Sequence, residues 1–229
     1  MDGTTAVVTG ASRGLGAALA RLFAGDGAHV VCCARDDEAL DRTAETIRAD
    51  GGTVTAMRAD VRDEFDVERL METAAREGGE IDLVVANAGV YHGEAGETPL
   101  PAESYAAFDD HFRTNARGVF TTVREAVPHL ADDGRVLVPS GAVAREAMGG
   151  FGSYAVSKAA AEAVARGFAA DLDQAVAVVD PGQVATDLTG GTGRDPDDVA
   201  PMFRWAADAP AETVDGEIVD LKAWKQATR

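Results

Sequence analysis

The sequence predicts an α/β fold, in which a doubly wound, mainly parallel seven-stranded sheet carries helices on both faces. Short runs rich in β-branched residues alternate with long helical patterns along the whole chain. These runs are continuously apolar, which is typical of parallel strands that helices cover on both sides. The 229 residues suffice for one large core, and no repeat or linker divides them. We therefore expect a single domain over 1–229.

Each element follows from local pattern. Strands are predicted where the β-branched runs lie, at 5–9, 28–33, 53–57, 81–85, 135–138, 175–179 and 217–219. Helices are predicted near 14–25, 37–50, 63–77, 102–130, 152–172 and 197–208. Helix stops are predicted at Gly25, Gly27, Gly51–Gly52, Gly78–Gly79 and Asp132–Gly134.

The net charge of the chain is −18, with acidic residues spread over helices and loops. Such a surface repels phosphate, so a nucleic-acid partner is not expected. Lysine occurs only at 158, 222 and 225. Scattered acidity with so little lysine favours adaptation to high salt, where counterions screen the repulsion. The alternative is an ordinary acidic protein.

Cysteine usage and hydropathy indicate the compartment. Cys32 and Cys33 are adjacent within a predicted strand, which disfavours a mutual disulfide and predicts buried thiols in a reducing cytoplasm. No segment is apolar over the length that a bilayer requires, and no basic leader precedes the first strand. We therefore expect a cytoplasmic protein without a membrane partner and without a metal site.

A glycine-rich segment follows the first strand, at the edge where open parallel sheets bind ligands. In Thr9-Gly-Ala-Ser-Arg-Gly-Leu-Gly16, the glycines at 10, 14 and 16 let the backbone turn sharply. A pyrophosphate is then able to approach the N-terminus of the next helix. A tight strand-to-helix turn requires glycine in any case, so this segment alone is weak support for a nucleotide site.

Other polar segments are predicted at the same edge. Asn87-Ala88-Gly89 follows the fourth strand, Asn115 lies in the long helix, and Ser140-Gly141 follows the fifth strand. The segment from Asp180 to Asp187 follows the sixth. Turn chemistry or a water-facing asparagine explains each of them separately. Their shared location favours one ligand site.

Tyr154 and Lys158 lie four residues apart in a segment of strong helix formers, so both side chains lie on one helix face. A free tyrosine titrates near pH ~10, and a neighbouring ammonium favours the phenolate. We therefore expect Lys158 to lower the pKa of Tyr154. The alternative is a solvated surface pair.

Together these segments resemble the short-chain dehydrogenase/reductase family, in its compact single-domain branch with a Rossmann-like fold. The matching segments are Thr9-Gly-x-x-x-Gly-x-Gly16, Asp60-Val61, Asn87-Ala-Gly89, Asn115, Ser140, Tyr154-x-x-x-Lys158 and Pro181-Gly-x-Val-x-Thr186. They run from the first strand to beyond the sixth, so the resemblance covers nearly the whole chain.

The resemblance implies an NAD(P)-dependent oxidoreductase that interconverts a ketone or aldehyde and an alcohol. Tyr154 would exchange a proton with the reacting oxygen, and Ser140 would bond the same oxygen. Lys158 would lower the pKa of the tyrosine and hold the nicotinamide ribose. Asn115 would anchor a water in a proton relay.

The resemblance also implies the cofactor contacts. Asp60 would contact the adenine amine, Val61 would lie beside the base, and Thr186 would bond the nicotinamide carboxamide. The full implied set is Gly10, Ser12, Arg13, Gly14, Leu15, Gly16, Arg35, Asp60, Val61, Asn87, Ala88, Gly89, Tyr154, Lys158, Pro181, Gly182, Val184 and Thr186.

The chain departs from the family pattern in three places. Most members have the active serine one residue nearer the tyrosine, which aligns Gly141; we favour Ser140 with a loop one residue longer. The segment 188–198 is short, so any substrate loop is small. The family's glycine-rich closing motif is absent where the chain reads Leu221-Lys-Ala-Trp-Lys-Gln226.

The residue that ends the second strand favours NADP(H) over NAD(H). A carboxylate there would accept bonds from the 2′-hydroxyl of NAD, but the chain has Ala34 followed by Arg35. Arg35, with Arg13 from the glycine-rich turn, suits a 2′-phosphate. If Arg35 instead pairs with Asp36 or Asp37, NAD(H) remains possible.

A dinucleotide-binding sensor or scaffold without turnover is the alternative to an enzyme. The substrate is expected to be a small carbonyl compound or alcohol. A mostly apolar pocket is predicted from Tyr91, His92, Met148, Phe151, Met202, Phe203 and Trp205. The resemblance further implies a homo-oligomer, either a dimer or a tetramer, for which small residues on the 152–172 helix permit close contact.

Overall fold

The computed structural model describes residues 1–228. Its strands are β1 Thr5–Thr9, β2 His29–Ala34, β3 Thr53–Arg58, β4 Ile81–Val85, β5 Leu130–Pro139, β6 Ala175–Asp180 and β7 Ile218–Asp220. All seven form one sheet in the order β3-β2-β1-β4-β5-β6-β7, and every pairing is parallel. This confirms the predicted class. The order reverses between β1 and β4, which is where an open sheet of this kind opens a ligand crevice.

The helices are α1 Gly14–Gly25, α2 Asp37–Ala49, α3 Glu64–Gly78, α4 Tyr105–His111, α5 Gly118–Ala126, α6 Gly152–Asp171, α7 Pro196–Asp208, α8 Ala211–Val214 and α9 Leu221–Ala227. The short helices α8 and α9 were not predicted. Short 3-10 turns lie at Leu100–Ala102, Val127–His129, Ala142–Ala144 and Asp187–Thr189. No helix in residues 1–228 has the length and apolarity that crossing a membrane requires.

The predicted helix over 102–130 is wrong in its continuity. A π-helical turn, Phe112–Arg117, separates α4 from α5. Pro128 lies in the 3-10 turn that ends the segment, because proline cannot continue a helical ladder. The strand β5 begins directly afterwards at Leu130, so Asp132–Gly134 lies within the strand and is not a helix stop.

The two faces of the sheet bury separate apolar clusters. The first contains Leu19, Phe23, Cys32 and Phe203, and the second contains Cys33 and the buried faces of α3 and α5. Neighbouring residues of a strand point to opposite faces, which is why the two cysteines fall in different clusters. Both thiols are free and buried.

The predicted pocket role of three α7 residues is wrong. Met202 and Phe203 are fully buried in the first cluster, and Trp205 packs against it. The helix α7 packs on α1, so its apolar stripe contributes to the core, away from the carboxyl edge of the sheet.

Candidate active site

A cleft of about 850 Å³ opens along the carboxyl ends of the strands. All the residues predicted to act in catalysis or cofactor binding line it: Gly10, Ser12, Arg13, Gly14, Leu15, Gly16, Arg35, Asp60, Val61, Asn87, Ala88, Gly89, Asn115, Ser140, Tyr154, Lys158, Pro181, Gly182, Val184 and Thr186. The topology brings these segments together because each follows a strand of the same parallel sheet.

The glycine-rich turn packs tightly against the end of β4. A Cβ atom on Gly16 would lie 2.2 Å from the Gly10 carbonyl oxygen, and one on Gly10 would lie 2.8 Å from Ala88 Cα. The Asn87 side-chain amide donates to the carbonyl oxygens of Thr9 and Gly10 at 2.9 and 3.2 Å. The glycines therefore bring the backbone at the start of α1 to the wall of the cleft. This cradle fits the pyrophosphate of a dinucleotide.

Tyr154 lies half-buried beside two aromatic rings. The centroid of the Tyr91 ring is 4.8 Å from that of Tyr154, and the His111 ring is 6.1 Å away. Burial, reinforced by Tyr91, raises the pKa of Tyr154 to about 12. The expectation that Lys158 lowers this pKa is therefore wrong, because burial of the phenol is the largest cause of the shift and Lys158 is not among its causes.

The Lys158 ammonium contacts the backbone at the end of β5. Its Nζ atom donates to the carbonyl oxygen of Pro139 at 2.6 Å. Burial lowers the pKa of Lys158 to about 8, although Glu162 and Asp180 both act to raise it. A group with this pKa carries its charge at neutral pH and loses it in mild alkali.

Asn115 is buried inside the π-helical turn, although an asparagine within a helix more often faces water. Its Oδ1 atom accepts from the backbone N–H of Val90 at 2.8 Å, and its Nδ2 atom donates to the Val90 carbonyl at 2.9 Å. Nδ2 also lies 3.0 Å from Ser157 Oγ, one turn from Tyr154 on α6. Asn115 thus joins the β4 loop to the helix that carries the tyrosine.

Ser140 is bonded to a carboxylate that sequence reasoning missed. Its Oγ atom donates to Glu162 Oε1 at 2.6 Å, and Arg145 Nη1 donates to the same oxygen at 2.6 Å. The second guanidinium nitrogen of Arg145 pairs with Asp180 at the end of β6. The spacing of Glu162, one turn beyond Lys158 on the same helix face, was the available signal.

A second cluster that was missed surrounds His111, which is fully buried. Its Nδ1 atom lies 2.7 Å from Ser153 Oγ and 3.3 Å from Glu103 Oε1. Its Nε2 atom accepts from the backbone N–H of His92 at 2.9 Å. Burial lowers the pKa of His111. Because serine and carboxylate meet the same ring nitrogen, the cluster does not have the geometry of a Ser-His-acid nucleophile.

The adenosine end of the cleft carries several charges. Arg35 lines it, and Arg13 Nε pairs with Asp187 Oδ2 at 3.1 Å on an exposed surface. Arg62 donates hydrogen bonds to the Asp60 carboxylate through Nε and Nη2. Although partial burial opposes it, this pairing holds the pKa of Asp60 below its usual value. Asp60 therefore stays ionised and able to accept a hydrogen bond.

The opposite end of the cleft is apolar. Tyr91, Met148 and Phe151 line it, as predicted, together with Ala142 and Val143. His92 does not line the cleft; its ring instead lies 2.8 Å from Asp110 Oδ2. A neutral, apolar compound suits these walls.

Known proteins match this chain over most of its length. A family model described as short chain dehydrogenase matches residues 4–197. An uncharacterized oxidoreductase of Methylorubrum extorquens is 32% identical over 243 residues, covering 96% of this chain and 96% of the relative. The 1-deoxy-11-beta-hydroxypentalenate dehydrogenase of Streptomyces exfoliatus is 40% identical over 192 residues, covering 81% of this chain and 69% of the relative.

A solved structure agrees in fold as well. The short chain dehydrogenase of Burkholderia cenocepacia, in complex with NADP, has a TM-score of 0.87 and 28% identity, covering 97% of both chains. Fold, site and sequence thus agree: the chain belongs to the short-chain dehydrogenase/reductase family and is an NAD(P)-dependent oxidoreductase.

Proposed function

We propose that the protein interconverts a ketone or aldehyde and an alcohol with NADP(H), using Tyr154 as the acid and base. The observation that carries this proposal is the single cleft that joins the glycine-rich turn to Tyr154 and Lys158. When bound, the nicotinamide supplies or takes up the hydride. The chain holds the cofactor, aligns the carbonyl and moves the proton.

The proton chemistry follows from burial. With a pKa of about 12, Tyr154 carries its proton at neutral pH, so its hydroxyl is available to a carbonyl oxygen in the reductive direction. Lys158 is an ammonium under the same conditions and would bond the ribose. Ser140 would fix the position of the reacting oxygen, and Asn115 would anchor the water of the proton relay.

The preference for NADP(H) rests on Arg35. The last residue of β2 is Ala34 and not a carboxylate. Arg35 follows it directly and lines the cleft. Arg13 is available only if it exchanges Asp187 for the phosphate, which an exposed pair permits at small cost. The NADP in the Burkholderia relative supports the same choice. An NAD(H) preference is the competing outcome.

Three further proposals concern the whole chain. We propose that 1–229 is one domain and that 188–198 is a short substrate loop. Leu188 and Thr189 line the cleft, and the backbone N–H of Arg194 donates to the Gln183 carbonyl at 2.8 Å, which anchors the loop. We also propose a homo-oligomer, supported by the exposed Phe120 and Val156 on α5 and α6.

The test is NADPH oxidation with a panel of neutral ketones and aldehydes, in parent protein and in Tyr154→Phe. We expect turnover in the parent, its loss in Tyr154→Phe, and nearly unchanged NADPH binding in both, because only the proton donor is removed. Tyr105→Phe is the matched control, since Tyr105 is 92% exposed. NADPH binding without turnover of any substrate would indicate a sensor or scaffold instead. Activity in Tyr154→Phe within tenfold of the parent would rule out the tyrosine mechanism.

A further inference from the structure

Four ionisable side chains from three segments lie close together at the reacting end of the cleft. Lys158 Nζ donates to the Pro139 carbonyl oxygen, and the hydroxyl of the next residue, Ser140, donates to Glu162. Lys158 and Glu162 lie on α6, Asp180 ends β6, and Arg145 follows the 3-10 turn after β5. Arg145 bridges Glu162 and Asp180. The side chain of Glu162 is only 3% exposed and that of Asp180 only 9% exposed.

The charges of this cluster balance only when Lys158 is protonated. Arg145 and Lys158 then contribute two positive charges, against two negative charges from Glu162 and Asp180. If Lys158 loses its proton, one carboxylate charge is left without compensation at a buried site, which is unfavourable. The arrangement therefore couples the protonation of the lysine to the two carboxylates.

We propose that Glu162 and Asp180, held in place by Arg145, are positioning residues that keep Lys158 in its ammonium form while the enzyme works. This proposal rests on the function proposed above, in which Lys158 acts as a cation. Neither carboxylate lines the cleft. Glu162 also accepts a hydrogen bond from the Ser140 hydroxyl, so one carboxylate serves two of the residues at the reacting end of the cleft.

The groups around Lys158 determine the direction of the effect. Tyr154 on the same helix and His111 from α4 are neutral near pH 7, because burial raises the pKa of the first and lowers that of the second. Only Glu162 and Asp180 act to raise the pKa of Lys158, against the burial that brings it to about 8. Removing either anion should therefore lower the pKa further, toward or below neutrality.

The experiment compares Glu162→Gln and Asp180→Asn with the parent. Both substitutions keep the shape of the side chain, and in each the amide oxygen is still able to accept the hydrogen bond from Ser140 or from the Gly182 N–H. We expect the alkaline loss of kcat/KM with NADPH to move to lower pH by about one unit in each variant. Glu146→Gln, an exposed carboxylate in the same loop, should leave the profile unchanged.

A direct readout is available because the chain has only three lysines. With 13C-labelled lysine, NMR should show three side-chain signals, two of them from the exposed Lys222 and Lys225. The third, from Lys158, should titrate near pH 8 in the parent and at lower pH in both variants. A purely structural role would reduce kcat without moving this titration.

The outcomes separate the two proposals. A parent protein that turns over no carbonyl substrate contradicts the proposed function. A parent that is active, with variants whose pH profile and Lys158 titration match its own, contradicts only the inference drawn from the cluster. Failure of both variants to fold also contradicts it, because the proposal assigns the carboxylates to the charge of Lys158 and not to the stability of the fold.

Discussion

The Ser140 hydroxyl has a single proton, and in this structure it donates that proton's hydrogen bond to Glu162. The hydroxyl therefore presents lone pairs to the cleft unless the bond rearranges when a carbonyl enters. Gly141, the position at which the family resemblance aligns a serine, has φ −165° and nothing within 4 Å of a Cβ atom built on it. The backbone and the space thus allow a side chain at 141.

We predict that Ser140→Ala lowers the turnover rate at least tenfold, because an oriented hydrogen bond to the reacting oxygen contributes ~2–4 kcal/mol. Steady-state kinetics at saturating NADPH would measure it. The double variant Ser140→Ala/Gly141→Ser is the informative control. Recovery of the rate in the double variant would assign the role to position 141, and an unchanged rate in Ser140→Ala would remove Ser140 from the mechanism.

Arg35 is the residue on which the cofactor preference depends. We predict that the parent has a higher kcat/KM with NADPH than with NADH. Arg35→Ala should weaken the binding of NADPH far more than that of NADH, because only NADPH carries the 2′-phosphate that the Arg35 guanidinium would bind. The matched control is Arg76→Ala, at the far end of α3. Equal kinetics with both cofactors, or an NADH preference in the parent, would contradict the assignment.

Residue chemistry was predictable where it depends on local sequence and not where it depends on distant packing. The spacing of Tyr154 and Lys158 placed both on α6 and in the cleft. The raised pKa of Tyr154 depends on burial and on Tyr91, which is 63 positions away along the chain. The Ser140 hydroxyl donates to Glu162; the spacing from Lys158 indicates the helix face of Glu162, but no local pattern reveals its contact with Ser140.

Among the elements, the turn between β1 and α1 is the most constrained. We predict that Gly16→Ala destabilises the protein by about 1–3 kcal/mol, because its Cβ would lie 2.2 Å from the Gly10 carbonyl oxygen and 2.5 Å from Asn87 Nδ2. At this chain length, the melting temperature should fall by about 2–4 °C per kcal/mol. NADPH binding should weaken as well.

The same helix supplies the control for this substitution. Gly25, the last residue of α1, has nothing within 4 Å of a Cβ atom built on it. Gly25→Ala should therefore leave both the melting temperature and the dissociation constant of NADPH nearly unchanged, or raise the former slightly. A Gly16→Ala protein as stable as the Gly25→Ala protein would refute the close packing of the turn.

Element boundaries show where periodicity stops being informative. The apolar runs located all seven strands to within a few residues, except that β5 begins at Leu130, five positions early. The helix over 102–130 was predicted as one element because apolar spacing continues through it. The break at 112–117 accompanies bonds between Asn115 and Val90, a contact between separate segments that periodicity does not encode.

At the scale of the whole molecule, the surface charge determines the response to salt. The chain has a net charge of −18, and several of its arginines already pair with carboxylates. We predict that the melting temperature rises by several degrees from dilute buffer to molar KCl. The reason is that the screening length falls to ~3 Å at 1 M salt, which suppresses repulsion among the excess carboxylates.

Differential scanning calorimetry across a KCl series would measure this response, with sucrose at matched osmolality as the non-ionic control. Sucrose stabilises compact states by exclusion from the surface, so only the excess effect of KCl reports on charge. A flat or falling curve in KCl would contradict salt adaptation.

The adjacent cysteines of β2 give the molecule two internal reporters of its own motion. One thiol lies on each side of the sheet, both are completely shielded, and burial raises the pKa of each to about 12. A thiol reagent therefore reacts only when a layer of helices lifts away from the strands. With one cysteine replaced by alanine at a time, the labelling rate separates the opening of one layer from that of the other. Equal labelling rates mean that the two layers open together, and unequal labelling rates identify the layer that opens more often.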